Sequence, residues 1–281
     1  MASPVIPLFL DIARSALIPT RLLLGAWATV STMEWWTNFD LFDSRNLLSW
    51  DVMSLRAGWL FKSRVSRVAF SNSSLRVALS ARLAAIIVLF ATSDLVAMSL
   101  ALIAIVFSSW LILVRSGVGN DGSDQMGYIV ALGTLVTVFG LMAKDTWIVF
   151  SGTLGIAGQL TISYFIAGFS KTLSPIWRSG AALSGVMNTY SYGHAGAAKL
   201  ATNYPSFSLI LCWVIMLSEA LFPIALLLPL PILLTALVMF FIVHWINAFF
   251  MGLNAFPWAF ASAYPSVILI SIVLRARLGL T

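Results

Sequence analysis

Long apolar stretches broken by short polar ones organise this chain from end to end. Eight of them read as membrane spans: Ser15–Trp35, Val77–Ala91, Leu95–Val114, Met126–Ala143, Trp147–Phe169, Phe207–Leu226, Pro231–Phe250 and Phe256–Leu274. A bilayer core about 30 Å thick needs about twenty helical residues to cross it. Helices are the expected form, because in hydrocarbon every backbone amide must find its partner within its own segment. The alternating ten-residue strands of a membrane barrel are absent. The expectation is an all-α, polytopic integral membrane bundle of about eight transmembrane helices, forming a single membrane domain over residues 1–281. Pro223, Pro229 and Pro231 mark kinks or a tight turn around one connection. The shortest spans, the second and third, are separated only by Thr92, Ser93 and Asp94.

Composition sharpens this picture. The 281 residues are 60% hydrophobic and 9% charged, with mean hydropathy +0.97. A soluble domain is about a quarter charged. The opening MASPVIPLFLDIARSA lacks the basic and apolar regions of a cleaved signal peptide, and it reads as part of the mature protein. The formal net charge of +6 does not point to nucleic acid. Its cations, Arg56, Lys62, Arg64, Arg67, Arg76 and Arg82, cluster beside spans, where they read as a cytoplasmic loop that also meets anionic lipid headgroups. With eight spans, Lys171 falls on the side of that loop, whereas Arg275 and Arg277 fall on the other, against the positive-inside rule; a miscounted or re-entrant segment would remove the conflict. Trp35, Trp36, Trp147, Trp177 and Trp258 lie near span ends, as interfacial tryptophans do. Gly152, Gly155 and Gly158 recur at a spacing that lets helices approach closely. Cys212 is a lone cysteine in an apolar run and reads as a small buried hydrophobe. No repeat and no two-half symmetry is visible, which weighs against a secondary transporter.

A few ionisable side chains interrupt the apolar pattern, and each has a structural and a chemical reading. Lys171 ends an apolar run; it is either an ammonium that snorkels to the headgroups or a base held at the boundary between lipid and water. Tyr164 lies two helical turns before it, on the same face. His244, inside FFIVHWINAFF, is either a satisfied imidazole or a functional group, with Asn247 one turn on as a polar companion. Glu219 sits in CWVIMLSEALFP, where a carboxylate is expected to be neutralised, paired or facing an aqueous cavity, with Lys171, Arg178 and His244 as available partners. Asp121 and Asp124, in GNDGSDQM, read either as a turn with a Ser123 or Asp124 helix cap or as a polar site at the membrane face. Two histidines and one cysteine, widely separated, do not make a zinc site. A phosphate-binding GxxxxGK[ST], a GxSxG elbow and a CxxCH are all missing.

The segment YFIAGFSKTLSPIWRSG, Tyr164–Gly180, resembles the characteristic segment of the vitamin K-dependent gamma-carboxylase and its bacterial relatives, the horizontally transferred transmembrane (HTTM) domain family. GSDQMGYIVALGTLVTVF and FFIVHWINAFFMGLNAFPWAFASAYPS are similar to two further helices of that family, more loosely, and the three together cover residues 121–266. The resemblance implies that Lys171 is the base that deprotonates a reduced quinone. It implies that His244 is the family's membrane-embedded histidine, and that Asp124 lies about where the carboxylase carries a histidine that assists its lysine. Catalytic Lys171, His244 and Asp124 would then be flanked by Tyr164, Trp177, Arg178, Glu219 and Asn247 as substrate contacts. Ser170 stands where the carboxylase carries a second lysine, and the carboxylase's large extramembrane substrate-holding domain has no counterpart in these 281 residues, so carboxylation of protein glutamates is not expected.

Two functions remain open on the sequence. One is a lysine-base enzyme acting on a quinol, an isoprenoid or a small peptide, with a reduced quinone as its implied cofactor. The other is a non-catalytic factor for maturation, export or immunity of a secreted peptide. Both place the protein among membrane lipids, in a bacterial cytoplasmic membrane, with no nucleic-acid partner.

Overall fold

The computed structural model describes residues 5–56 and 63–280; Met1–Pro4 and Lys62 lie outside them, as does the side chain of Arg56. The chain is built from α1 (Val5–Thr37), α2 (Trp50–Arg56), α3 (Arg64–Ala69), α4 (Asn72–Ala91), α5 (Leu95–Ser116), α6 (Gly122–Ala143), α7 (Thr146–Leu173), α8 (Pro175–Arg178), α9 (Ala181–Met187), α10 (Ala195–Asn203), α11 (Pro205–Ala220), α12 (Phe222–Ala225), α13 (Leu230–Met251) and α14 (Phe256–Leu278), with no strand among the described residues. The protein is a polytopic helical membrane bundle.

Among the described residues six helices, α4, α5, α6, α7, α13 and α14, are long and apolar enough to cross a membrane, or seven if α10 and α11, bent by 105° where they meet, count as one. These account for six or seven of the about eight spans expected. Ser15–Trp35 lies within α1, a helix of 33 residues that carries Asp11, Arg14, Arg21 and Glu34 and is not among the six. Phe207–Leu226 is not one helix: α11 stops at Ala220 and α12 restarts with Pro223 in its first turn. The two short spans, by contrast, are complete helices of 20 and 22 residues. Thr92–Asp94 is a tight connection in which the Asp94 carboxylate accepts from Ala97 N at 2.8 Å and so caps α5.

Contacts divide the chain into two units, Met1–Thr153 and Leu154–Thr281. In the first, α1 packs on α4 and α6, and α5 packs on both α4 and α6. Trp27 of α1 is buried against Gly127 of α6, where a Cβ would fall into the indole. Arg21 reaches the free carbonyls at the end of α4, donating to Leu89 O, to Phe90 O at 3.3 Å and to Ser93 Oγ at 3.4 Å. Arg115, at the end of α5, is buried and ties the polar segment before α4 to the bundle. It donates to Phe70 O at 3.1 Å and to Leu48 O, with its guanidinium 5.0 Å from the Phe42 ring centroid. Around it Phe42, Leu48, Met53, Phe70, Leu75 and Leu111 form one apolar cluster. The basic cluster expected to be a loop is therefore split: Arg76 and Arg82 lie inside α4, Arg76 over Phe39 and Arg82 buried at 1% exposure. Of the three spaced glycines, Gly152 lies where α7 passes Gly133 and Thr137 of α6 too closely for a Cβ, whereas Gly155 and Gly158 have open space among the described residues.

In the second unit, four contacts trace the path of α11 and α12. Leu209 lies against Gly180, Glu219 against Gly168, Phe222 against Tyr164, and Leu226 O accepts from Ser271 Oγ at 2.6 Å. The segment thus runs back along α7 in spite of its break, with α13 and α14 completing the group. Helices α8, α9 and α10 pack on one another and on α11. Gly180 makes that turn possible. Its φ is +79° and the Leu209 backbone leaves no room for a side chain, while its carbonyl accepts from Ser208 Oγ at 2.6 Å. Cys212 is buried below it, as the sequence indicates.

Replacing Arg115 with Ala leaves the Leu48 and Phe70 carbonyls without their charged donor, a loss of about 1.5–3 kcal/mol for each such bond. The expected outcome is a lower unfolding temperature in detergent, with earlier limited proteolysis between residues 38 and 71.

Candidate functional site

Helix α7 presents Tyr164, Gly168 and Lys171 at spacings of four and three residues, which places them along one face. Facing them, α11 brings Glu219 and α12 brings Phe222. Gly168 makes the approach possible, since a Cβ there would run into the Glu219–Ala220 backbone. With the helices this close, Lys171 Nζ donates to Glu219 Oε2 in a direct ion pair. Both side chains are largely covered, at 22% and 13% exposure. Trp177, from α8, sets its ring 5.2 Å from the same ammonium. Glu219 also lies near the end of α11, so the ammonium meets the negative pole of that helix as well as the carboxylate. Of the three partners open to Glu219 on the sequence, the structure selects Lys171.

One to two turns along α7 lies a second polar group, enclosed by rings. The Tyr164 hydroxyl is 3.0 Å from His244 Nε2 and 3.4 Å from the Tyr264 hydroxyl. Tyr164 is 3% exposed. Its ring stacks on Phe240 at 4.2 Å and meets the edge of Phe222 at 4.9 Å, while Phe260 lies 4.3 Å from the His244 ring. Phe240 and His244 are four residues apart on α13, and Phe256, Phe260 and Tyr264 are four apart on α14, so each helix contributes one stripe. His244 Nδ1 is buried and has no hydrogen-bond partner among the described residues. Phe222, three residues beyond Glu219, meets the Tyr164 ring, and Tyr164 lies two turns from Lys171 on α7, so the two groups share one region of this unit.

The remaining sequence-derived residues take other places. Arg178 is exposed and makes no ion pair among the described residues; its backbone carbonyl accepts from Trp213 Nε1 at 3.3 Å. Asn247 is half-buried one turn beyond His244 and hydrogen-bonds to nothing among the described residues, so it is not the companion of that histidine. Asp124 belongs to the first unit. There Asp121, not Ser123 or Asp124, is the N-cap of α6, accepting from Ser123 N at 2.8 Å and Asp124 N at 3.2 Å. Asp124 closes the capping box through Asp121 N and accepts from Ser31 Oγ at 3.3 Å.

Gly168, Phe222, Phe240, Phe260 and Tyr264 belong to the site and were not singled out from the sequence. Their spacings of three and four residues were visible, but the same spacings describe any packed helix face. A separate groove in this unit, about 270 Å³ and apolar, runs between α7, α12 and α14, with Gly158, Ile162, Pro223, Leu226 and Ile270 among its walls. Compared with protein-family models, with curated proteins and with solved structures, the chain matches none.

Two substitutions test this geometry. Gly168→Ala gains helix propensity, yet the added methyl overpacks against the α11 backbone, and a net loss of about 1–3 kcal/mol is expected. Tyr164→Phe keeps the stacked ring and strips His244 of its partner, a loss of about 1–3 kcal/mol. Thermal unfolding of the detergent-solubilised protein reads both; unchanged stability in either variant contradicts the contact concerned.

Proposed function

We propose that this chain is a membrane enzyme of the vitamin K-dependent gamma-carboxylase-like (HTTM) kind, with Lys171 as a proton-transferring base acting on a lipid-soluble substrate. The observation that carries the reading is the covered Lys171–Glu219 pair beside the Tyr164–His244 hydrogen bond. An isolated ammonium in an apolar setting is a poor base, because it holds its proton. Paired with a carboxylate away from water, it has a place to send that proton: passing it to Glu219 leaves a neutral amine and a neutral acid. The amine can then take a proton from a weakly acidic hydroxyl or amide. Tyr164 and His244 would position the polar head of the substrate, and the unpartnered Nδ1 of His244 is the atom free to do so.

The substrate class follows from the surroundings. Rings enclose the polar atoms, and the apolar groove along α7 suits a hydrocarbon tail. A quinol, an isoprenoid or a small apolar peptide fits this description. A reduced quinone fits the donor set, with Tyr164 and His244 as its hydrogen-bonding partners, and when bound it would supply the acidic hydroxyl. Residence in a bacterial cytoplasmic membrane belongs to the same proposal.

A second reading has one observation in its favour. The Lys171 ammonium, held by Glu219 and the Trp177 ring, also has the form of a structural anchor. The protein would then be a non-catalytic factor in the maturation, export or immunity of a secreted peptide.

Lysine substitutions separate the two. For the enzyme, Lys171→Ala is expected to cut turnover of a reduced short-chain quinone by about 10²–10⁴-fold while the protein stays folded. Lys171→Arg should not restore it, because a guanidinium stays protonated. Full activity in both variants overturns the enzyme reading, and an anchor tolerates Lys171→Arg.

A further inference from the structure

Arg82 lies midway along α4, eleventh of twenty residues in a membrane-spanning helix, and it is 1% exposed. A guanidinium at that depth costs several kcal/mol unless the protein supplies an opposite charge. Among the described residues Arg82 makes no ion pair. It stacks over Trp27, 4.8 Å from the ring centroid, and that contact satisfies none of its N–H groups. Its Nε and Nη2 are buried without partners, and so are Trp27 Nε1 and Asn120 Oδ1.

These orphaned atoms are not scattered. Trp27, Arg82 and Asn120 line one small internal cavity together with Asp124 and Ser109. The cavity offers about 10 Å³ to the centre of a water molecule, which is close to the room that one water needs. Its lining has the composition a single water requires. The N–H groups of Trp27 and Arg82 are donors, and Asn120 Oδ1 and the Asp124 carboxylate are acceptors. Asn120 is held in place because its Nδ2 donates to Ser116 Oγ at 2.7 Å, which leaves Oδ1 as its free atom. Asp124 lies within electrostatic reach of Arg82 and is the one carboxylate in this lining.

We propose that this cavity is a hydration site for one ordered water, which joins Arg82 to Asp124 as a water-bridged ion pair. Asp124 is then the counter-ion of Arg82, a role distinct from the catalytic helper that the sequence suggested. The site ties α1, α4 and α6 together through one polar side chain from each, with Asn120 closing it from the turn before α6. It also borders a second space. Trp35 and Asp124 line both the hydration site and an open cavity of about 430 Å³, whose other walls include Glu34, Asn38 and Asp121. The water therefore stands directly behind the wall of that larger cavity.

The test uses the full chain. A structure of the wild-type protein in lipid nanodiscs, at a resolution that shows ordered water, should reveal one density peak within hydrogen-bonding distance of Arg82 and Asp124. A direct Arg82–Asp124 contact, or a dry cavity, overturns the proposal. A double-mutant cycle gives an independent readout. Arg82→Met and Asp124→Asn should each lower the unfolding temperature, and the double variant should lose less than the sum, since each single change strands the other charge. Additive losses overturn the pairing. If Arg82→Met does not fold, Trp27→Phe serves instead, because it keeps a ring under the guanidinium and deletes one donor to the water. A fall in unfolding temperature supports the hydrated site, and an unchanged or raised value shows that the indole N–H had no partner to lose.

Discussion

Charge inside an apolar helix must find its partner within the protein, and that constraint shapes each part of this structure. Arg21 reaches the carbonyls that α4 leaves free at its end. Arg115 takes the carbonyls of Leu48 and Phe70 and so converts a polar stretch into a folded part of the first unit. Lys171 meets Glu219. In water each of these interactions would be worth little, because solvent competes for both partners. Away from water the unpaired state is the expensive one, so a pair once formed fixes the helices that carry it.

In the second unit that pairing depends on small residues and a helix break. Gly168 lets α11 lie against α7, and Gly180 turns the chain so that α11 can return along it. Across the interruption after Ala220, Phe222 meets Tyr164 while Glu219 holds Lys171. The rings from α12, α13 and α14 exclude water from the Tyr164–His244 bond, and in such surroundings a hydrogen bond or a proton transfer counts for more than it does at a wet surface.

The proposed chemistry and a purely anchoring role would call on the same residues. A lysine paired with a carboxylate under an indole is a stable arrangement, and its stability gives no sign of whether a substrate exploits it. The difference lies in the proton. A structural pair stays charged through the life of the protein, whereas a catalytic pair must become neutral when a substrate displaces water from it. His244, with one nitrogen bonded and the other free, is the feature that an anchoring role does not explain.

The sequence by itself determined the membrane class, the positions of the six long apolar helices to within a few residues, and the presence of Lys171, Glu219 and His244 in apolar surroundings. These are properties of local hydropathy and length, which need no knowledge of neighbours. It also offered Lys171 as one of three partners for Glu219 and could not choose, because their separation of 48 residues along the chain carries no information about distance in space. Only the tertiary structure decided that choice, set Tyr164 against His244, left Asn247 aside and set Asp124 against Ser31 in the first unit. It also moved Arg82 from an expected basic loop to the buried middle of α4. The physical reason is common to all of these: which polar atoms meet is fixed by how closely helices can approach, and that is set by packing around residues such as Gly168 and Trp27.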